Sequence, residues 1–329
     1  MFTPTSILIT GSSGFVGGYL VEHCRTLYPH AKLFGLCRRS SPRTTVPAMK
    51  NVTPLVADIT QPEQIRQAVA ESRPDLIFHL AAQSSVAASW SEPLSTLQVN
   101  AGGAVHLLEA LRAERLSPRV VLIGSGEQYG LVKPEENPIN EESLPRPISP
   151  YGVSKLAQDL YGYQYFITYG LAVLRARPFN HFGPRQKPTF VVADFARQTA
   201  LIEQGKVEPV LSVGNLQTRR DFLPVEDVVR AYLAIAQQGQ PGQAYNIGSG
   251  RARSIGEILE LLLAHSTVPI RVREDPARLR AVDVPLLVAD TSRLQTDTGW
   301  QPALEIEEAL EQTLQYWRTT VLHESSTTW

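Results

Sequence analysis

A glycine-rich segment that directly follows a short apolar run constrains the fold of this chain more than any other feature. Residues 6–10 form an apolar, β-branched run, Gly11, Gly14 and Gly17 follow at once, and a helical pattern continues from residue 19. This order of strand, glycine turn and helix is typical of the first unit of a dinucleotide-binding sheet. The glycines allow a pyrophosphate to approach the backbone, and the start of the helix favours an anion.

Strands continue to alternate with helices after this unit. Apolar runs predict further strands at residues 32–37, 52–59, 75–82, 119–124 and 171–177, and amphipathic patterns predict helices at 62–72, 97–115 and 224–235. Such alternation is typical of a parallel, doubly wound sheet whose ligands bind at the carboxyl ends of the strands. We therefore predict an α/β protein with a Rossmann-like doubly wound parallel sheet and a smaller C-terminal α/β substrate lobe.

The two lobes are expected to interleave. We assign residues 1–180 to a dinucleotide-binding domain, to which a strand and a helix return from about residues 225–250. Residues 181–329 would form mainly the substrate-binding lobe, because strands and helices alternate less regularly there. The 329 residues suffice for two such units. The polar segment 323–329 is expected to be disordered.

Composition excludes several other classes of protein. A formal net charge of −1 provides no long-range field for nucleic acid or anionic membranes. The two cysteines, Cys24 and Cys37, are too few for a disulfide framework or a zinc site. No apolar run approaches the roughly 20 residues that cross a bilayer, and residues 1–5 lack the charge of a signal peptide. We expect a soluble, cytoplasmic protein with no metal centre and no nucleic-acid or membrane partner.

Two arginines after the second predicted strand indicate the type of dinucleotide. A site for NAD commonly carries an acidic residue there, whereas this chain has Arg38 and Arg39 followed by two serines. Guanidinium groups bind phosphates through charge-assisted hydrogen bonds, so we predict NADP(H); the alternative is a solvated basic loop. Asp58, after the third strand, is placed to bind the adenine. His79, in the fourth strand, is expected to be a core residue.

A tyrosine and a lysine four residues apart form the candidate catalytic pair. Ser149 and Pro150 are typical of a helix start, so Tyr151 and Lys155 would lie one turn apart on one helix face. An ammonium one turn away is expected to lower the tyrosine pKa from about 10 and to let the phenol exchange a proton near neutral pH. The alternative is an ordinary surface pair.

Several motifs in this order resemble the extended short-chain dehydrogenase/reductases that modify nucleotide sugars. They are GxxGxxG after the first strand, Asp58-Ile59, Leu80-Ala81-Ala82, Ser125-x-Glu127 and Tyr151-x-x-x-Lys155. The segments at 177–185, 213–216, 220–222, 245–250 and 279–280 are similar to the GDP-mannose branch of that family. This branch contains GDP-mannose 4,6-dehydratase and GDP-6-deoxy-4-keto-mannose reductase, which makes GDP-rhamnose. The resemblance covers residues 6–318.

The resemblance implies three sets of site residues. The catalytic set is Ser125, Glu127, Tyr151 and Lys155. The NADP(H)-binding set contains Tyr151 and Lys155 together with Gly11, Ser13, Gly14, Phe15, Val16, Arg38, Arg39, Asp58, Ile59, Leu80, Ala81, Ala82 and His181. The set that binds the GDP-sugar is Ser84, Ser125, Asn180, Arg185, Asn215, Arg220, Arg280 and Asp283. Arg219 is expected to face solvent, and Asp227 is expected to be structural.

The branch implies two related reactions. In a reductase, hydride moves from NADPH to the C4 ketone of GDP-4-keto-6-deoxy-D-mannose while Tyr151 donates the proton. In a dehydratase, Tyr151 takes the C4 proton, hydride goes to NADP⁺ and returns to C6, and Glu127 removes the C5 proton. We favour the reductase because residues 14–17 and 84–90 are similar to reductases of this branch. A dehydratase or a bifunctional enzyme remains the alternative, since Glu127 is in place.

Two further functions are alternatives to a GDP-mannose reductase or dehydratase. An epimerase of another nucleotide sugar would differ in the base that it recognises. A non-catalytic NADP-binding protein would be expected to have lost Tyr151, Lys155 or Ser125.

The resemblance also implies a homodimer or homotetramer paired through helices at 97–115 and 150–169. The aromatic residues between 161 and 169 would serve that face or pack in the core.

Overall fold

The protein is described by a computed structural model that covers residues 2–38, 52–279 and 284–323. Within these ranges, seven parallel strands form the central sheet: β1 (Ser6–Thr10), β2 (Lys32–Cys37), β3 (Thr53–Val56), β4 (Leu76–His79), β5 (Arg119–Ile123), β6 (Val173–Pro178) and β10 (Ala244–Ile247). Their order is β3-β2-β1-β4-β5-β6-β10. The strand order reverses between β1 and β4, the point at which doubly wound sheets bind ligands.

Helices cover both faces of this sheet. One face carries α1 (Phe15–Leu27), α8 (Val225–Gln238) and α10 (Ser292–Thr298), and the other carries α2 (Pro62–Ser72), α5 (Gly103–Ala113) and α6 (Pro150–Tyr169). In β1, Ile7 and Ile9 pack towards the first face and Leu8 towards the second. Burial on both faces explains the continuous apolar runs of the sequence. The predicted doubly wound α/β fold is confirmed.

The segment between β4 and α5 differs from the single helix that the sequence predicts at 97–115. It contains α3 (Val86–Ser91) and α4 (Pro93–Leu97), followed by a π-helical turn at Gln98–Gly102. In this wider turn Asn100 is fully buried, and its amide nitrogen donates to Ser154 Oγ on α6 at 2.9 Å. The turn therefore ties this segment to the helix that carries Tyr151.

A second unit follows β6. A small sheet contains β7 (Asn180–Phe182), β9 (Arg219–Pro224), β11 (Ala252–Ser254) and β13 (Leu286–Leu287), while β8 (Val210–Val213) pairs with β12 (Arg271–Glu274). Around them pack α7 (Val191–Glu203), α9 (Ile255–Leu263) and α11 (Ile306–His323). Among the helices of the described ranges, none combines the length and apolar character that crossing a bilayer requires.

Candidate active site at the carboxyl edge of the sheet

The glycine turn after β1 is packed too closely to admit side chains. Gly11 has a φ of +71°, and a Cβ on Gly17 would lie 2.3 Å from the Gly11 carbonyl oxygen. Helix α1 begins at Phe15, and its N-cap, Gly14, provides no side-chain hydrogen bond to the first turn. The N–H groups and the dipole of this turn can therefore face an anion, so the residues fit the pyrophosphate of a dinucleotide. The other predicted contacts of this turn are Ser13, which is exposed, and Val16, which is half-buried.

Tyr151 and Ser125 form the centre of the site. Ser149 caps α6 by accepting a hydrogen bond from Gly152 N at 3.0 Å, as the predicted helix start requires. Tyr151, in the first turn, lies near enough to Ser125, which follows β5, for this hydroxyl to lower the phenol pKa, and Ser125 Oγ accepts from Glu127 N at 3.2 Å. Tyr151 and Ser125 are each 8% exposed. The structure therefore brings three of the four predicted catalytic residues together.

The expected lowering of the Tyr151 pKa is wrong in this structure. Burial raises the pKa of Tyr151 to about 12; the nearby Ser125 hydroxyl lowers it in part, and the charge of Glu127 raises it further. Lys155 lies one turn along α6, but its ammonium donates to the Ile123 carbonyl at 2.8 Å and to Gln158 Oε1 at 2.9 Å. Burial also lowers the pKa of Lys155, to about 7. Desolvation thus outweighs the attraction that the spacing suggested.

Buried polar residues outside the three predicted sets support this centre. Gln158 and Asn100 contact Lys155 and Ser154 respectively. His79 is buried as predicted, and Thr10 Oγ1 lies 3.0 Å from His79 Nδ1 while accepting from Ala81 N at 3.1 Å. Burial and the charge of Lys155 lower the pKa of His79 to about 3, so this imidazole is neutral. Asn100 and His79 are polar residues inside apolar patterns, and this is the sequence signal that could have marked both as part of the site.

The predicted adenosine contacts lie at the ends of β2, β3 and β4. Arg38 is exposed, and Asp58 accepts hydrogen bonds from Thr60 N at 2.9 Å and Thr60 Oγ1 at 2.7 Å. These bonds, more than the charge of Arg38, lower the pKa of Asp58. A Cβ on Gly11 would lie 2.9 Å from Ala81 N, so the end of β4 borders the glycine turn. Ile59 is buried, and Leu80 and Ala82 are half-buried, whereas Arg39 lies outside the described residues.

His181 connects the second unit to the glycine turn. It lies in β7, which pairs with β9 rather than with the central sheet. Its ring stacks on Phe15 with centroids 6.2 Å apart and an interplanar angle of 8°, and its Nδ1 lies 3.0 Å from the Phe179 carbonyl. Burial lowers the pKa of His181, although the contact with the Phe179 carbonyl partly opposes this shift. A neutral imidazole therefore borders the predicted dinucleotide site.

The residues predicted to bind the GDP-sugar are more scattered. Ser84 precedes α3 and is exposed, Asn180 lies in β7, Asn215 is exposed after β8, and Arg220 is buried in β9 and donates to the Val284 carbonyl. Arg280 and Asp283 lie outside the described residues. In the ranges that the structure describes, no three His, Cys, Asp or Glu side chains are grouped as a metal site requires.

Arg185, a predicted contact of the GDP-sugar, is paired with helix α1 in this structure. Its guanidinium donates to both carboxylate oxygens of Glu22, at 2.8 and 3.1 Å, and lies 3.8 Å from the ring centroid of Tyr19. Both partners belong to α1, so Arg185 links the segment after β7 to this helix. A bidentate ion pair across 163 residues of sequence was not visible in the local pattern.

Comparison with known proteins identifies the family. The family model described as GDP-mannose 4,6 dehydratase matches residues 8–313. The chain belongs to the GDP-mannose 4,6-dehydratase family. The resemblance to the GDP-mannose branch of the extended short-chain dehydrogenase/reductases is thereby confirmed.

Individual members of this family match the chain along nearly its whole length. GDP-6-deoxy-D-mannose reductase of Pseudomonas aeruginosa is 38% identical over 318 residues, covering 97% of this chain and 99% of the relative. GDP-mannose 4,6-dehydratase of Yersinia enterocolitica is 30% identical over 342 residues, covering 92% and 90%. The solved structure of RMD from Pseudomonas aeruginosa complexed with NADPH has a TM-score of 0.82 at 36% identity, covering 96% and 100%.

Proposed function

We propose that the protein is an NADP(H)-dependent enzyme that reduces the C4 ketone of GDP-4-keto-6-deoxy-D-mannose to GDP-D-rhamnose. The observation that carries this proposal is the buried phenol of Tyr151 near Ser125, one helical turn from the buried Lys155. The 38% identity to a GDP-6-deoxy-D-mannose reductase, against 30% to a dehydratase, supports reduction. The NADPH in the similar RMD structure supports the cofactor.

The site residues divide the work of the reduction. Bound NADPH supplies the hydride. Ser125 holds the C4 oxygen against Tyr151, and Tyr151 donates the proton that this oxygen needs. A pKa of about 12 keeps the phenol protonated at neutral pH, which is the state that a proton donor requires. The buried amine of Lys155, when protonated, stabilises the phenolate that remains.

We propose the binding groups from the resemblance to the family. NADP(H) would be held mainly within residues 1–180, by the glycine turn with Phe15 and Val16 and by Arg38, Arg39, Asp58, Ile59, residues 80–82 and His181. The GDP-sugar would be held mainly within residues 181–329, by Ser84, Ser125, Asn180, Arg185, Asn215, Arg220, Arg280 and Asp283. Ser13 and the first turn of α1 support this division, because they border the predicted pyrophosphate.

A dehydratase acting on GDP-mannose is the second candidate, and Glu127 favours it. Glu127 lies near enough to Tyr151 for its charge to raise the phenol pKa, and it is half-buried beside Ser125. In a dehydratase this carboxylate would remove the C5 proton, which a reductase does not need. An enzyme that performs both reactions combines these two assignments.

Two incubations of the purified protein distinguish the candidates. With GDP-4-keto-6-deoxy-D-mannose and NADPH, we expect GDP-D-rhamnose and one NADPH consumed for each product. With GDP-mannose and NADP⁺ alone, a 4-keto-6-deoxy product would contradict a function limited to reduction. If Glu127→Gln then abolishes that product but keeps the reduction, the enzyme is bifunctional. Turnover in neither incubation would overturn the proposal.

We also propose a homodimer in the cytoplasm. Apolar side chains are exposed on α4 and α6, which pack side by side: Leu94 (78%), Leu160 (54%) and Ile167 (61%). Tyr161, Tyr163 and Tyr169 are about half exposed, whereas Tyr165 is buried. Cys24 and Cys37 form no disulfide, which suits a reducing compartment. Leu160→Glu should convert a sedimenting dimer to a monomer, and a parent protein that sediments as a monomer would refute this assembly.

A further inference from the structure

A buried polar cluster lies between α6, β6 and the segment after β5, outside the groups assigned above. Its members are Asp159, Arg177, Tyr129, Gln128 and Asn246, and each is at most 6% exposed. Burying an ion pair costs desolvation energy, and replacing one with apolar side chains is often neutral or stabilising. Stability alone therefore gives little reason for a guanidinium at this place.

One side of the Arg177 guanidinium binds the catalytic helix. Nε donates to Asp159 Oδ1 at 3.0 Å, and Nη2 donates to Asp159 Oδ2 at 2.8 Å. Burial alone would raise the pKa of Asp159, but the charges and hydrogen bonds of Arg177 and Arg175 hold it below its ordinary value. Asp159 follows Tyr151 by two turns and Lys155 by one turn on α6. A shift of this ion pair would therefore be transmitted along the helix that carries both residues.

The other side of the same guanidinium binds the segment that carries Ser125 and Glu127. Nη1 donates to Tyr129 Oη at 2.8 Å and to the Glu141 carbonyl at 2.9 Å. With the Gln128 amide oriented to satisfy both its groups, its oxygen shares the single Arg177 Nε–H, at 2.8 Å, with Asp159 Oδ1, and its nitrogen donates to the Ser125 carbonyl at 3.2 Å. The Gln128 side chain thus links Arg177 to the main chain of Ser125.

The strand behind this segment prevents it from moving away from Arg177. Tyr129 Oη donates to Asn246 Oδ1 at 2.7 Å, and Asn246 N donates to Glu141 Oε1 at 2.7 Å. Asn246 lies in β10, at the edge of the central sheet. The segment is therefore held between a strand of the sheet and the guanidinium.

We infer that Arg177 is a positioning residue that sets the separation of Ser125 and Glu127 from Tyr151. This inference rests on the proposed function of the site, since it concerns the same reaction. The planar guanidinium can donate hydrogen bonds to the carboxylate of α6 and to the segment after β5 at once, which a lysine ammonium cannot do. Because a misplacement of about 1 Å can cost about 100-fold in rate, loss of these hydrogen bonds should lower the rate of the chemical step.

Arg175 provides a matched control on the same strand. Its Nη1 also donates to Asp159 Oδ2, at 2.7 Å, but its Nη2 donates to the Gly242 carbonyl, away from the segment of Ser125. Arg175→Lys and Arg177→Lys therefore each keep a positive charge beside Asp159 and each lose a fork of hydrogen bonds. The two variants differ in whether the lost fork contacts the catalytic segment.

The experiment compares both variants with the parent in kcat, KM, thermal midpoint and NADPH dissociation constant. We expect Arg177→Lys to lower kcat at least tenfold while KM and the dissociation constant change less than about threefold. Arg175→Lys should keep kcat within about threefold at a similar thermal midpoint. Equal kcat losses in the two variants, or a parental kcat in Arg177→Lys, would overturn the inference.

A second readout does not depend on the reaction. Amide hydrogen exchange of residues 124–130 should be faster in Arg177→Lys than in the parent and unchanged in Arg175→Lys. If Arg177→Lys does not fold, Tyr129→Phe removes one of its hydrogen bonds and should give the same changes, smaller in size. A parent without turnover refutes the proposed function, whereas unchanged exchange in both Arg177→Lys and Tyr129→Phe refutes the positioning role.

Discussion

The ammonium of Lys155 donates a 2.8 Å hydrogen bond to the main-chain carbonyl of Ile123, the last residue of β5. This bond directs the lysine to the strand that leads into Ser125, and Ser125 in turn lies near enough to Tyr151 to lower the phenol pKa. Both candidate catalytic side chains of α6 therefore lie at the end of the same strand. With a pKa of about 12, Tyr151 is protonated at neutral pH and suited to donate a proton.

Removal of the Tyr151 hydroxyl is the most direct test of this assignment. Tyr151→Phe keeps the buried ring but removes the proton donor, and general acid catalysis contributes about 10²- to 10⁴-fold. We expect steady-state reduction of the keto sugar to fall by about that factor, with NADPH affinity within threefold of the parent. Tyr161→Phe, on the exposed face of the same helix, serves as the control. Parental turnover by Tyr151→Phe would show that this phenol is not the proton donor.

The buried amine of Lys155 should make stability depend on pH. Its pKa is lowered from 10.5 to about 7, so the unfolded chain binds one more proton than the folded chain between those two values. The destabilisation is fully present below about pH 7 and disappears as the pH rises towards 10.5. Relative to Lys155→Met, the free energy of unfolding of the parent should rise through this window by on the order of a few kcal/mol.

Denaturant unfolding at several pH values measures this difference. The parent and Lys155→Met are compared at pH 7, 8 and 9, so that groups common to both cancel. Lys187→Met, which removes an exposed lysine, should run parallel to the parent. A constant difference between the parent and Lys155→Met would show that the buried amine does not titrate in this range.

Arg38 should distinguish NADPH from NADH. A hydrogen bond from a charged group contributes about 1.5–3 kcal/mol, and each 1.4 kcal/mol corresponds to about tenfold in affinity. Arg38→Ala should therefore weaken NADPH binding about tenfold or more and leave NADH binding within about twofold. Fluorescence titration with both dinucleotides measures this effect in one protein. Equal losses for both would mean that Arg38 does not contact the 2′-phosphate.

Local patterns predicted much of the fold and of the centre of the site. At the N-terminus, β-branched residues favour the strand, and glycines allow the close backbone contacts of the turn between the strand and the helix. The start of α6 followed from Ser149 and Pro150, because capping and a fixed φ act within one turn. The grouping of Ser125 with Tyr151 rested on a resemblance, since they lie on different elements.

Properties set by distant packing were not visible in the sequence. The raised pKa of Tyr151 depends on the elements that enclose α6, whereas the i, i+4 spacing suggested only the attraction of Lys155. Likewise, β7 pairs with β9 across about 40 residues of chain, and Arg185 pairs with Glu22 of α1. Each pairing is decided by three-dimensional proximity, for which a single sequence carries no local signal.

Gly17 and Gly102 should respond oppositely to the same substitution. A Cβ on Gly17 would lie 2.3 Å from the Gly11 carbonyl oxygen, so Gly17→Ala must displace the turn that precedes α1. We expect a loss of about 2 kcal/mol or more in stability, and weaker NADPH binding. Gly102 is helical with open space around its Cβ position, so Gly102→Ala should be neutral or stabilise by up to about 1 kcal/mol. Thermal unfolding with and without NADPH measures both effects, and a Gly17→Ala protein that keeps parental stability and affinity would contradict the close packing of this turn.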